Sequence, residues 1–214
     1  MNRPSNPQPL RVRSFAVACV PLCFSVLLVF AGSTRAQSKL TLRTNYYAVT
    51  GGTLKDIHRS LSHSRPWQGS RRDGQTDWKV NWKTRLSPTG NGCRIASFHT
   101  ETVITITLPM LRIPPNTPPE VTKAWHTYLT ALMKHEQGHV KLARAAADQI
   151  QRAVGGLGSS GDCGELNRQI KETAGRALEA SKEQHRKYDQ RTRHGATEGA
   201  VLPRSLEGER RRRE

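Results

Sequence analysis

The sequence predicts an α+β protein in which a small antiparallel or mixed sheet is followed by two long helices. Between residues 40 and 108, apolar and polar side chains alternate with a period of two, the pattern of half-buried strands. From residue 117 onward, apolar side chains instead recur every three or four positions, as on amphipathic helices. Strands and helices that are segregated along the chain favour an α+β fold, and 214 residues suffice for one substantial domain.

The first 36 residues have the features of a signal peptide. Arg11 and Arg13 precede an apolar run at residues 15–32. Small side chains follow at Thr34 and Ala36, the two positions that a signal peptidase reads. We predict cleavage after Ala36 and a secreted or periplasmic mature protein. An uncleaved N-terminal anchor is the alternative, because the apolar run approaches the roughly 20 residues that a membrane span needs.

The first mature strand and a short helix come next. Leu40–Val49 alternates as a strand should and ends at a glycine-containing turn. Thr53 and Asp56 then form a capping signature, which predicts a short helix after the turn.

A hairpin is predicted to complete the sheet. Its first arm, Trp78–Leu86, places apolar and aromatic side chains on one face, and a turn rich in proline and glycine leads to the second arm, Cys93–Leu108. The strand Thr102–Leu108, which is dense in β-branched residues, fits either an ordinary core strand or a sheet edge that pairs with an extended peptide. The proline-rich segment 109–119 is predicted to end the sheet.

Two long helices begin at capping signatures. Thr117 and Glu120 predict the start of the first helix, which ends at the glycine pair 155–156. Asp162 and Glu165 predict the start of the second. The short first helix is expected to pack on the first long helix together with the sheet.

The cysteines indicate a disulfide. Removal of the signal peptide leaves only Cys93 and Cys163, and an isolated pair of thiols in an oxidising compartment is usually bridged. In the chain-entropy model, closing a loop of this length stabilises the fold by roughly 4 kcal/mol. Zinc ligation by this pair is disfavoured, because the short Cys-x-x-Cys spacing is absent.

The C-terminal segment is basic. The chain has 34 Lys and Arg against 17 Asp and Glu, a formal charge of +17, and a mean hydropathy of −0.65 that argues against several membrane spans. We interpret residues 196–214, which end in Arg210–Arg213, as a disordered basic tail. This tail predicts no specific nucleic acid partner and at most a weak association with an anionic envelope surface.

The candidate chemistry lies in the middle of the first long helix, in the sequence His135-Glu136-Gln137-Gly138-His139. Histidines four residues apart project from one helix face, so both can bind one Zn²⁺. Glu136 can act as the general base toward a water whose pKa the zinc lowers to about 7. Gly138 costs about 1 kcal/mol relative to alanine inside a helix, so we expect it to serve close packing or substrate room.

A catalytic zinc takes three protein ligands and leaves a fourth position open. We predict His194 as the third ligand, at the end of the second long helix. Asp189, Glu183 and His185 are alternatives, and a histidine at a helix C-terminus also interacts favourably with the helix dipole. Tyr188 is predicted to stabilise the oxyanion of the reaction, as could His185, and simple packing is the competing interpretation for both.

Several separated segments resemble one bacterial family. The chain is similar over about residues 45–195 to the predicted secreted zinc-dependent proteases that were long catalogued as a domain of unknown function. The resemblance rests on the zinc motif and on the following elements: Tyr46-Tyr47-x-Val49-x-Gly51-x-Thr53, the hairpin that contains Trp78, Cys93, Leu108-Pro109, Trp125, Cys163 and Tyr188-Asp189-x-x-Thr192-x-His194-Gly195.

This resemblance implies a zincin-like fold. It also implies that His135 and His139 are zinc ligands, that Glu136 is the base and that His194 is the third ligand. The sequence therefore predicts an exported zinc metallopeptidase that acts on a peptide or protein substrate. A non-catalytic protein of the cell envelope, which keeps zinc or the fold as a structural or binding module, is the alternative from another functional class.

Overall fold

A computed structural model of the chain describes residues 38–67, 69 and 71–206, so the predicted signal peptide lies outside the described residues. The described part is an α+β domain, as predicted. In chain order its elements are β1 (Lys39–Thr50), α1 (Leu54–Ser64), β2 (Gln75–Thr89), β3 (Gly92–Arg112), α2 (Pro119–Gly155), α3 (Cys163–Thr192) and a 3-10 turn (Ala196–Glu198). Within these residues, no helix combines the length and the hydropathy that a membrane span requires.

The sheet is mixed, with the strand order β1-β3-β2. The central strand β3 is parallel to β1 and antiparallel to β2, which confirms the hairpin. Residues 102–107 pair with β1 on one side and with β2 on the other. These residues therefore lie in the central strand, with Ile104 and Ile106 buried and Val103 exposed, and the alternative of a peptide-binding edge is wrong here.

Strand β3 runs past the point where the proline-rich segment was expected to end it. Pro109 lies inside the strand and is aligned with Tyr47 of β1, whereas the pairing with β2 already stops at Thr107. A proline lacks the N–H that a strand paired on both sides uses, but it is tolerated where one side has no partner. The strand can therefore continue to Arg112.

Helix α2 joins two apolar clusters, and the candidate motif lies between Leu132 and Val140, which both belong to the first of them. Its N-terminal half packs with α1 and the sheet, where Ile57, Leu61 and Tyr128 are at most 2% exposed. Its C-terminal half packs against α3 through Ile150 and Leu166, which are fully buried. Helices α1 and α3 thus each share an apolar cluster with α2.

Two of the three predicted helix caps are present. The Thr53 hydroxyl accepts a hydrogen bond from the Asp56 N–H at 3.2 Å, and the Asp162 carboxylate accepts from two N–H groups of α3. The predicted cap at Thr117 is wrong. The cap position is Pro118, and the Thr117 hydroxyl donates to the carbonyl of Pro114 at 2.8 Å, so it stabilises the preceding turn instead.

The predicted disulfide between Cys93 and Cys163 is present. It joins the start of β3 to the start of α3, and Cys93 also exchanges two backbone hydrogen bonds with Ser160. These contacts hold the N-terminus of α3 on the sheet. Helix α3 runs back along α2 and carries residues of the candidate site near its C-terminal end. The disulfide and the two hydrogen bonds constrain its direction from the opposite, N-terminal end.

The domain extends beyond the predicted boundary at residue 195. Gly195 and Gly199 adopt positive φ and reverse the chain after α3. Leu202 is then 4% exposed in the core, with Ala200 and Leu206 packed against the same cluster. Residues 196–206 therefore differ from the predicted disordered tail, because a few apolar side chains without periodicity are enough to dock this segment. Residues 207–214, with the basic cluster, lie outside the described residues.

Candidate metal centre

The motif lies on the buried face of α2, as its spacing predicts. His135 and Glu136 are each 2% exposed and His139 is 7% exposed. Their burial follows from helical periodicity, since Leu132 and Val140 belong to the same packed face of α2. Imidazoles and a carboxylate cost free energy when they are buried without partners, so their partners define what the site can do.

Both imidazoles converge on one carboxylate of α3. Atom Oδ1 of Asp189 lies 3.2 Å from Nε2 of His135 and 3.0 Å from Nε2 of His139. One ligand atom from each of these three residues lies within 4.8 Å of the other two. Two imidazole nitrogens and a carboxylate oxygen can hold a metal ion and leave a coordination position free.

The other ring nitrogen of each histidine is also bound. Nδ1 of His135 lies 2.9 Å from Oε2 of Glu198, and Nδ1 of His139 lies 3.0 Å from Nδ1 of His185. A histidine that binds a metal through Nε2 carries its proton on Nδ1, so both rings then donate from Nδ1 to these acceptors. The Glu198 carboxylate can only accept, so it favours the tautomer of His135 that a metal requires.

Protonation in the site follows from burial and from these contacts. Burial alone would raise the pKa of Asp189, but the hydrogen bonds from His135 and His139 outweigh it and hold that pKa well below its usual range. Burial opposes a charge on His135, yet the hydrogen bonds to Asp189 and Glu198 raise its pKa. Burial and the nearby His139 lower the pKa of His185 to about 4. His185 is thus neutral at pH 7, and its Nδ1 can accept a hydrogen bond from the Nδ1–H of His139.

Glu136 approaches the start of β2. The Thr76 hydroxyl donates to Oε2 of Glu136 at 2.7 Å, while a side chain at Gly74 would collide with Oε1 and with Leu132. Burial raises the pKa of Glu136, and the hydrogen bond from Thr76 opposes that rise. The edge strand β2 therefore fixes one oxygen of this carboxylate, and Gly74 leaves room for the other.

The segment before β2 is held by a partly buried polar network that sequence reasoning missed. Asp73 receives a 2.6 Å ion pair from Arg65 and a 2.7 Å hydrogen bond from the Tyr128 hydroxyl. Tyr47 donates to the backbone carbonyl of Asp73 at 2.8 Å. These contacts tie α1, α2 and β1 to the residue that directly precedes Gly74. Because Thr76 follows Asp73 by three residues, the same contacts also help to position Thr76.

Tyr188 packs over the motif. Its ring stacks on His135 with the centroids 5.0 Å apart, and its hydroxyl lies 3.1 Å from Glu198 and 3.3 Å from the His135 carbonyl. A side chain at Gly138 would overlap this ring, so the glycine serves close packing. The Tyr188 hydroxyl thus contacts the candidate ligand His135 and its hydrogen-bond partner Glu198. Its role in stabilising the oxyanion stays a prediction.

His194, the predicted third ligand, lies outside the converging group. Its side chain is 53% exposed, and its Nδ1 is 3.3 Å from Oδ1 of Asp189. Of the alternatives, Asp189 belongs to the group, His185 supports His139, and Glu183 pairs with Arg186 on a half-exposed face of α3. Glu198 was missed altogether, because it falls in the segment that was interpreted as a tail.

The site opens into a cavity of about 120 Å³. Its lining includes Trp78, Glu136 and His185, together with the three residues of the converging group. A bound metal ion would have direct access to this space, and Glu136 faces it from the neighbouring position of α2. A small molecule such as water can therefore reach both.

Fold and site together define the chain as an α+β protein with a buried candidate metal centre. Residues 44–195 match the family described as "Bacterial protein of unknown function (DUF922)", and this range is more than half of the chain. The chain belongs to this family. Comparisons with curated proteins and with solved structures found no match. The matched range includes the converging group and ends before Glu198.

Proposed function

We propose that this protein is an exported zinc metallopeptidase of zincin-like architecture, in which Glu136 is the general base. The observation that carries the proposal is the convergence of His135 Nε2, His139 Nε2 and Asp189 Oδ1 beside a buried carboxylate on the same helix. Two imidazoles and a carboxylate are a ligand set of catalytic zinc sites. The Cys93–Cys163 disulfide supports an oxidising compartment, as export requires.

We propose Asp189, and not His194, as the third ligand. The Oδ1 atom of Asp189 contacts the Nε2 atoms of both His135 and His139. The half-exposed His194 contacts only Asp189 within this group. Glu198 and His185 then serve as hydrogen-bond acceptors for the two ligand imidazoles.

The residues of the proposed site have separate roles in the hydrolysis of an amide bond. When bound, zinc supplies a Lewis acid that brings the pKa of water to about 7. Glu136 accepts a proton from the attacking water while the water oxygen bonds to the carbonyl carbon. The carbon–nitrogen bond then breaks, and Glu136 returns the proton to the leaving nitrogen. Thr76 keeps one oxygen of Glu136 in place, so the other faces the reaction.

The proposal is tested by metal content and by metal removal. Mature protein loaded with zinc and freed of excess metal is expected to retain about one equivalent. A strong chelator should abolish cleavage of an unstructured protein substrate, and added zinc should restore it. Absence of zinc binding overturns the proposal. Tight zinc binding without cleavage of a broad peptide mixture also overturns it and favours the non-catalytic alternative.

A second prediction concerns Glu198. Replacing it with alanine is expected to weaken zinc affinity by about 10- to 100-fold, because the Nδ1–H of His135 loses its acceptor. The affinity is measured by competition with a chelator of known strength. Glu179→Ala, which removes an exposed carboxylate of α3, is the matched control and should leave the affinity unchanged. Equal affinities of the Glu198→Ala and Glu179→Ala proteins would contradict this role.

A further inference from the structure

A second, larger cleft adjoins the candidate metal centre. Its volume is about 800 Å³, within the range of ligand-binding clefts, and it shares Asp189, His194 and Leu132 with the smaller cavity. A peptide bond positioned at the metal centre would therefore leave the adjoining part of its chain in this larger cleft. The chemistry of the cleft wall bears on which substrates fit.

The wall carries a concentration of guanidinium groups. Four arginines line the cleft, in two groups on opposite elements: Arg71 and Arg72 before β2, and Arg186 and Arg193 at the end of α3. Its two carboxylates are already engaged, Asp73 by Arg65 and Asp189 by the two imidazoles.

Two of these arginines have no acidic partner within the described part of the chain. Arg186 pairs with Glu183 at 2.6 Å, but Arg71 and Arg193 form no ion pair with any described residue. The cleft therefore has a surplus of positive charge, to which a bound zinc ion would add. An arginine binds a carboxylate through two parallel hydrogen bonds, which gives geometric selectivity as well as attraction.

The backbone supports a specific placement of Arg193. Arg193 and His194 have φ values of 49° and 53°, a left-handed conformation that is uncommon for residues other than glycine. The His194 N–H donates to the Asp189 carbonyl at 2.9 Å, which holds this turn. The turn brings Arg193 to the cleft directly beside the end of α3 that carries Asp189.

We propose that this cleft binds a carboxylate group of the peptide substrate near the scissile bond, an inference that rests on the peptidase function proposed above. A peptide fits the cleft better than a nucleic acid does. The rings in its described lining are Tyr128, which is 2% exposed, and the half-exposed imidazole of His194, so the described lining has no series of aromatic faces on which successive bases could stack.

The test measures binding and does not require catalysis. Glu136→Gln protein loaded with zinc is titrated with fluorescently labelled peptides of equal length, and the ionic strength of the solution is kept constant. The first carries internal glutamates and an amidated C-terminus, the second has glutamine at those positions, and the third has glutamine and a free C-terminal carboxylate. We expect the first or the third to bind about 10-fold more tightly than the second, the gain of one charge-assisted hydrogen bond. The tighter of the two identifies a side-chain or a terminal carboxylate.

Matched double variants separate the cleft from the general basicity of the chain. Arg71→Gln with Arg193→Asn removes two charges of the cleft, and asparagine suits the left-handed backbone at position 193. Arg85→Gln with Arg144→Gln removes two exposed charges elsewhere. The carboxylate preference should disappear in the first pair and persist in the second. Zinc content and melting temperature confirm that both proteins are folded.

Three results would overturn the inference: equal binding of the three peptides, equal effects of the two double variants, or stronger binding of a single-stranded oligonucleotide than of the acidic peptides. A failure of the proposed function is read separately, as absence of cleavage by the wild-type protein. Carboxylate-selective binding without cleavage would retain the inference about the cleft and reject the peptidase.

Discussion

Asp189→Ala is expected to weaken zinc binding by more than about 100-fold, the upper limit of the loss when only a supporting residue is removed. Asp189 is proposed as a direct ligand, and its Oδ1 is the atom on which both ligand nitrogens converge. Removal of its charge also leaves two buried imidazoles without the acceptor that their Nε2 atoms share. His194→Ala is expected to retain nearly full affinity, since its ring is half-exposed and contacts the group only through Asp189.

The comparison is made by chelator competition on both variants and on a control. Asp148→Ala removes an exposed carboxylate of α2 and should behave as the wild type. His135→Ala provides the reference for the loss of a ligand. If His194→Ala were as defective as His135→Ala while Asp189→Ala retained zinc, the ligand set predicted from the sequence would be right and the set proposed from the geometry would be wrong.

The local features of the site could be predicted from the sequence because local periodicity determines them. The helical repeat places His135 and His139 on one face and next to apolar neighbours, so their burial together follows from α2 alone. The disulfide could also be predicted, since the predicted signal-peptide cleavage leaves two of the four cysteines and therefore one possible pair. Neither inference required the relative placement of two helices.

The partners of the motif depend on how α3 packs against α2. The helical periodicity of apolar residues does not determine which residues of the two helices lie side by side. One signal was nevertheless present. The buried stripe of α3 continues from Leu166 and Ile170 into Ser181, His185 and Thr192, so polar side chains occupy positions that the pattern assigns to the core. Asp189 lies one turn after His185 on the same side. Polar residues at core positions of an otherwise regular helix indicate a site, because such positions break the rule that the rest of the helix obeys.

Glu198 and Asp73 illustrate a stronger limit. Glu198 reaches His135 because the chain reverses through left-handed residues from Arg193 to Gly195. Gly195 approaches so closely that a side chain there would collide with the His135 ring. Asp73 lies in a loop and gains its role from Arg65, on the other side of that loop, and from Tyr128 on α2. Both depend on tertiary contacts, for which the local sequence has no periodic signal.

Glu136→Gln is expected to lower the rate of peptide hydrolysis by about 100- to 10,000-fold while zinc remains bound, the range that general acid–base catalysis contributes. Glutamine has nearly the same shape, and its carbonyl oxygen can still accept the hydrogen bond that Thr76 donates. It cannot take a proton from water. The fold and the metal should therefore persist while the proton transfer is lost.

This separation distinguishes a base from a structural carboxylate. The rate constant at saturating substrate, the zinc content and the melting temperature are measured on the same preparation. Glu120→Gln, at the exposed start of α2, is the control and should retain wild-type rates. Loss of zinc in the Glu136→Gln protein would show that the carboxylate supports the metal site, because a residue that acts only as base does not change affinity. A rate close to that of the wild type would remove Glu136 from the mechanism, and with it the chemical reason for placing this carboxylate beside the two imidazoles.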